Sequence, residues 1–387
     1  MVDVVIAGIG QTDVGEHWDY SLRELALFAL DEARNEAGGI QPQAVYVANM
    51  LAPALSRQSH LGALVADFAG LRGIEAVTVE AAGASGGVAL RQAYLAVASG
   101  ASETAMALGV EKITDQVGPP VEAALATTTD SDYEAEQGMT PTSQAALLLR
   151  RYLHENDVPR EAFAGFPVTA HANGATNPHA MFRKPIKPEL YARAGIVSDP
   201  LNMFDIAPRA DGAAAALLVR ADLVPPDFPH PLVTIAGSSV ATDALAIHDR
   251  PNPLVLRAVN ASIERACAQA GIARSDVSFY ELDDTYSIYA ALSLEAAGFA
   301  APGEGWKLAE NGGIGLNGNL PIATFGGAKA RGHAGGAAGV YQAVEAVMQL
   351  RGQAGDNQVP DAAIGLIQCL GGPGSTAAAH VLARVSD

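Results

Sequence analysis

Apolar positions follow two periods along the chain, and the changes between them mark the elements. Val2 to Ile9 is a short, nearly continuous apolar run of the kind a buried strand shows. Behind Ser21, a side chain suited to capping, Leu22, Leu25, Ala26, Ala29 and Leu30 recur at helical spacing. This helix runs to Ala37 and is closed by Gly38-Gly39. A second strand is predicted at Ala44 to Asn49. The apolar stretch Ala76 to Ala82 then enters a turn of small residues, Gly83-Ala84-Ser85-Gly86-Gly87, and helical spacing resumes as far as Gly100. Ala105 to Val110 is a further apolar strand.

The same succession returns past the middle of the chain. Pro231 to Asp243 echoes the first strand and turn, Val255 to Ile272 the first helix, and Val277 to Asp284 the second strand. Asn319 to Gly352 echoes the glycine-rich turn with its helix, and Ala363 to Cys369 the last strand. The pattern predicts an α/β protein built by duplication, with halves at about 1–228 and 229–387. A long polar insertion, at about 114–210, lies in the first half. Two β-α-β-α-β halves predict two sheets of parallel type with helices sandwiched between them. Their strand-to-helix turns then face one crevice, where α/β proteins bind ligands.

Composition narrows the partners. The 387 residues are 49% hydrophobic and carry a net charge of -18, and such a chain repels nucleic acid and anionic membrane. Arg183-Lys184-x-x-Lys187 is too short for a nucleic-acid patch, though it could meet a phosphate. The first ten residues lack the features of a signal peptide, and no apolar run approaches the ~18 residues of a membrane helix. Two cysteines, Cys267 and Cys369, cannot form a disulfide framework or a metal cluster. A cytoplasmic protein with no metal is the expectation.

Four segments at predicted strand ends carry the chemistry. They are the turn at Gly83, "ELDDTYSIY" (Glu281 to Tyr289), "GGAKARGHAGGAAG" (Gly326 to Gly339) and "IQCLGGPGS" (Ile367 to Ser375). Glycines beside His333 and Cys369 let backbone N–H groups approach a ligand oxygen. Taken together, these segments resemble the thiolase superfamily, most closely the branch with sterol-carrier-protein thiolases and archaeal acetyl-CoA acetyltransferases. "VEAAGASGGVALRQAYLAVASG" resembles the family's nucleophile segment, and "VTAHANGATNPHAMFRKPI" its loop domain. "GGAKARGHAGGAAG" resembles the Gly-His-Pro-x-Gly block with Ala334 for Pro, and "QCLGGPGS" the Cys-x-Gly block. The resemblance implies a duplicated, five-layer α-β-α-β-α thiolase fold with a loop-domain insertion. It also implies a homodimer, with a CoA thioester as substrate and no separate cofactor.

The departures shape the expected function. The family's nucleophilic Cys falls on Gly83, and its His-Asp-x-Phe motif on Asp283-Asp284-Thr285-Tyr286. Without a nucleophile no acyl-enzyme can form. By the resemblance, His333 holds an enolate oxygen and Cys369 exchanges the α-proton, which suits aldol or retro-aldol chemistry on an acyl-CoA. Thiolase-like aldolases of this kind work with a small zinc-ribbon/OB-fold partner. Tyr286 is then a candidate acid or base at the β-hydroxyl, with Asp283 orienting it. Gly83, Gly371, Gly372 and His171 are candidates to contact substrate, and restoring Gly83→Cys faces backbone angles that suit only glycine. Other readings stay open: a thiolase acyltransferase with an altered site, a non-catalytic acyl-CoA-binding scaffold, or a serine hydrolase. For the last, Ser85 in G-x-S-x-G would be the nucleophile, although few strands precede it. Tyr286 can serve packing alone, Asp283 and Asp284 can form a solvated strand end, Cys369 can be a small buried hydrophobe, and Cys267 reads as core.

Overall fold

Ser21 caps the first helix as its sequence predicts. Its side chain accepts from the Glu24 N–H, and Glu24 returns a bond to the Ser21 N–H, in a computed structural model that describes residues 3–385. Val2, expected to open the first strand, lies outside the described residues. The first half contains β1 (Val4–Gln11), α1 (Leu22–Glu36), β2 (Ala44–Ala48), α2 (Ala52–Leu55), α3 (Leu61–Phe68), β3 (Glu75–Val79), α4 (Ser85–Ala98) and β4 (Thr104–Glu111). Next come α5 (Pro119–Ala126), α6 (Pro141–Glu155), α7 (Gly165–Gly174), α8 (Pro188–Arg193), a small hairpin of β5 (Ile196–Ser198) and β6 (Leu201–Asn202), and β7 (Gly212–Arg220). The second half contains β8 (Val233–Thr242), α9 (Arg257–Ala270), β9 (Phe279–Glu281), α10 (Ser287–Ala296), α11 (Gly327–Ala330), α12 (Ala338–Arg351), β10 (Ile364–Gly371) and β11 (Thr376–Arg384).

The strands lie in the order β3-β2-β4-β7-β1-β8-β11-β10-β9. About the β1–β8 seam the order is nearly a mirror image: β1, β7, β4 and β2 answer to β8, β11, β10 and β9, and β3 has no counterpart. This is the duplicated fold. Among the described residues the two half-sheets pair through Val5–Thr234 and Ile6–Val233. They are not of purely parallel type. β7 runs antiparallel to β1 and β4, and β11 antiparallel to β8 and β10. These two strands escaped sequence reading because "GAAAALLVR" and "TAAAHVLAR" are alanine-rich, a composition depleted in strands. They are also buried on both faces, which erases the alternation of a half-exposed strand.

The layers follow from side-chain alternation along the strands. In β4, Ala105 and Ala107 face inward, while Met106, Leu108 and Val110 face out toward α1 and α3. In β10, Ile367 and Cys369 face inward, while Leu366 and Leu370 face out toward α9 and α10. Between the half-sheets lie α4 and α12, each touching strands of both halves. Their first turns meet glycine to glycine. A Cβ on Gly86 would sit 2.8 Å from the Gly339 nitrogen, and one on Gly339 would sit 2.5 Å from the Gly87 nitrogen and 2.6 Å from Cys369 Sγ. No helix among the described residues is long and apolar enough to cross a membrane.

Gly339→Ala is therefore expected to overpack this contact and lower stability by about 1–3 kcal/mol. Urea unfolding measures it, and an unchanged midpoint would show that the helices can part without cost.

Candidate active site

The N-terminal ends of α4 and α12 open on one cleft of about 710 Å³, counted with its mouth. Gly83, ahead of α4, and His333, ahead of α12, both line it. Apolar walls come from Met50, Ile113, Leu125, Ile206 and Leu370, and polar groups from Thr128, Thr142, Arg209, Asp283, Tyr286 and Tyr289. The start of α4 carries no side-chain cap, and Gly83, two residues ahead of it, lines the cleft, so the partial positive charge of a helix N-terminus lies near it.

Backbone angles do not keep Gly83 a glycine, contrary to the expectation from its turn. The left-handed conformation falls on Ala82, at φ 51°. What excludes a side chain at Gly83 is the Leu370 carbonyl, whose oxygen lies 2.5 Å from where a Cβ would be. The cleft therefore lacks both the thiol and the room for it.

His333 is fixed by its backbone, which donates to Pro208 O (2.9 Å) and accepts from Ala210 N–H (3.1 Å). Glu111, at the end of β4, accepts from the amides of Met50 (2.9 Å), Leu51 (3.2 Å) and Gly336 (2.9 Å). It thereby ties the loop after His333 to the first half. The imidazole is buried and its Nδ1 has no hydrogen-bond partner. Burial, with Arg331 beneath adding, lowers its pKa from 6.5 to about 4. His333 is therefore a neutral imidazole at physiological pH.

The strand end after β9 delivers its acids in different directions. Asp283 lines the cleft, its Oδ1 accepting from Thr285 N–H (3.0 Å) and its own N–H donating to Gln368 Oε1 (3.3 Å). Burial raises its carboxyl pKa. Asp284 turns away and accepts from Ala328 N–H at the start of α11 (2.6 Å). Neither is a solvated strand end, since both are buried. The Tyr286 hydroxyl lies 2.9 Å from that of Thr142, and burial pushes its pKa up to about 12.

Several expected site residues lie elsewhere. Cys369 faces the central helices, as the parity of β10 requires, and does not line the cleft. Its Sγ donates to Gln342 Oε1 (3.0 Å), and burial, followed by the nearby Asp283 charge, pushes the thiol pKa well above its ordinary value. Gly372 lines the cleft at φ 56°, whereas Gly371 is backed against the Ala81 carbonyl. His171 is buried between Phe182 and Phe204, outside the cleft lining. Ser85 is fully buried; its Oγ donates to Ala82 O (2.6 Å) and accepts from Ala81 N–H (2.8 Å). With its hydroxyl committed locally, Ser85 is no nucleophile, and the serine-hydrolase reading falls.

Sequence reading missed Arg209, Thr142 and Tyr289. Arg209 is the one basic side chain other than His333 in the cleft lining and pairs with Glu122 of α5. Within "APRADG" nothing distinguishes it from an ordinary loop charge. Among the described residues no group of three or more His, Cys, Asp or Glu is arranged to hold a metal.

Family models and known proteins match nearly the whole chain. The family model described as Thiolase, N-terminal domain matches residues 4–222, and Thiolase C-terminal domain-like matches residues 239–384. An acetyl-CoA acetyltransferase from Methanothermobacter thermautotrophicus is 40% identical over 386 residues, covering 99% of this chain and 100% of that protein. A 17-hydroxy-3-oxo-4-pregnene-20-carboxyl-CoA lyase from Mycobacterium tuberculosis is 27% identical, covering 90% of this chain and 91% of its own. Among solved structures, an Ltp2-ChsH2(DUF35) aldolase is 25% identical with a TM-score of 0.84, covering 99% of this chain and 98% of that one.

The burial of His333 has a direct readout. Its imidazole is expected to stay neutral at pH 6 and to take up a proton only near pH 4, observed by NMR of histidine-labelled protein with His333→Asn for assignment. Half-protonation near 6.5, the ordinary value, would show an open and solvated ring.

Proposed function

The chain belongs to the thiolase superfamily of acyl-CoA enzymes, and we propose that it makes or breaks a carbon–carbon bond of an acyl-CoA through an enolate, as an aldolase or retro-aldolase. The observation that carries the reading is Gly83: a position that bears a nucleophile in the family has neither a thiol nor space for one, because of the Leu370 carbonyl. His333, Asp283 and Tyr286 line the same cleft, which supports an enolate site there.

In the synthetic direction Asp283 takes a proton from the α-carbon of the thioester. It is the one carboxylate in the cleft lining, and burial raises its basicity. The enolate oxygen accepts a hydrogen bond from the neutral His333 ring, and the partial positive charge of the nearby α4 N-terminus favours it further. A neutral donor suits this task, since it stabilises the oxyanion without protonating it. The enolate carbon then attacks a carbonyl carbon, and the new alkoxide takes the hydroxyl proton of Tyr286. Proton exchange through solvent returns the Asp283 proton to Tyr286, so the reaction is a net addition; cleavage reverses the same steps. The role that the resemblance assigned to Cys369 passes in this reading to Asp283.

An acyltransferase reading draws on the 40% identical acetyl-CoA acetyltransferase, but such chemistry requires a nucleophile that the cleft lining lacks. The lyase and the aldolase among the similar proteins support carbon–carbon cleavage. The aldolase neighbour pairs Ltp2 with ChsH2(DUF35), which supports a small zinc-ribbon/OB-fold partner for this chain as well. A homodimer is proposed from β3, the outer strand of its half-sheet, on which Val77 and Thr78 are exposed.

Incubation with acetoacetyl-CoA followed by intact-mass measurement is expected to show unmodified protein. A panel of β-hydroxyacyl-CoA thioesters is expected to include one that is cleaved, with Asp283→Asn slowing it by about 10² to 10⁴. An acyl adduct would restore the acyltransferase reading, and no cleavage with any thioester, partner included, would leave a binding scaffold.

A further inference from the structure

Tyr289 is a polar group of the cleft to which the proposed reaction gives no part. It sits in the first turn of α10, is 3% exposed, and lines the cleft beside Tyr286, the two rings meeting edge to face at 5.2 Å. Tyr286 has Thr142 as a partner. The Tyr289 hydroxyl has no hydrogen-bond partner among the described residues, yet it is not sealed from solvent as the other unpartnered buried groups are. A tyrosine held this deep with its oxygen unpaired at a cleft wall is a donor waiting for an acceptor.

We propose that Tyr289 is a substrate-contacting residue that selects acyl-CoA thioesters carrying an oxygen on the acyl chain, with its hydroxyl donating to a β-hydroxyl. This rests on the acyl-CoA reading of the cleft and names the acyl class it takes. In the open cleft water can satisfy the Tyr289 hydroxyl. A plain alkyl chain would displace that water and leave the hydroxyl unpaired, which costs affinity. A β-hydroxyl replaces the water bond instead, so the cleft discriminates by penalising the wrong chain more than by rewarding the right one. Burial keeps the phenol protonated far above working pH, so it serves as a standing donor. Edge-to-face packing on Tyr286 would be satisfied equally by phenylalanine, which does not explain the hydroxyl.

Binding separates this from the aldolase reading, because it needs no turnover. Isothermal titration with 3-hydroxybutyryl-CoA and butyryl-CoA, the thioesters checked for integrity afterwards, is expected to show the hydroxylated ligand bound about threefold to tenfold tighter. Tyr289→Phe is expected to keep the unfolding midpoint, since the hydroxyl has no protein partner to lose. It should also remove the preference by strengthening butyryl-CoA and weakening 3-hydroxybutyryl-CoA. Equal affinity of the two ligands for the wild-type protein would overturn the proposal. So would a preference that survives Tyr289→Phe, or a loss of stability in that variant. A protein that shows the preference but cleaves nothing would refute the aldolase reading alone.

Discussion

The first turns of α4 and α12 can touch only because Gly86, Gly87 and Gly339 stand where they meet. Side chains ordinarily hold helix axes apart; here backbone approaches backbone, with the Cys369 sulfur filling the space beside it. The contact converges the N-terminal ends of two helices from opposite halves of a duplicated chain. Gly83 precedes one end and His333 the other, so the glycine contact and the cleft are one arrangement. Glu111 reinforces it by binding amides from both halves. The sheet cannot substitute for this contact, since the half-sheets join over two residue pairs.

Burial then sets the chemistry. It lowers the His333 pKa and raises those of Asp283 and Tyr286. In each case the neutral form gains, as low polarity requires. The cleft therefore approaches its ligand with neutral donors and one basic carboxyl group, a set suited to developing charge on an oxygen and to short proton transfers. Arg209 brings a formal charge to the wall, and Glu122 balances it. A thiolate nucleophile is absent from the cleft lining, and the nearby Cys369 thiol is held in the core, donating to Gln342.

Much of the fold could be read along the chain because the repeat shows in its elements: a strand, a capped helix, a strand, a glycine-rich turn and a helix, twice. β7 and β11 could not, since alanine-rich strands buried on both faces show neither strand composition nor alternation. Within the site, Gly83, His333, Asp283, Tyr286 and Gly372 were legible from their segments and do reach the cleft. Cys369 is absent from the cleft lining for a geometric reason: a motif can bring a strand end close to a site, but the parity of that strand decides which face its side chain takes. Leu370, one step on, contributes the carbonyl that blocks Gly83. Ser85 satisfied a pattern whose meaning depends on an exposed hydroxyl, and its hydroxyl is spent on the local turn. Arg209 and Thr142 come from the insertion, where no periodicity signals which loop residues turn toward the cleft.

The central claim is that this cleft forms a thioester enolate without an acyl-enzyme. Exchange of the α-protons of acetyl-CoA in deuterated water, followed by NMR with the small partner present, tests it most directly. The account predicts deuterium at the α-carbon, and exchange that is lost in Asp283→Asn but retained in Cys369→Ala. Exchange that needs Cys369 and ignores Asp283, or no exchange at all, would contradict it.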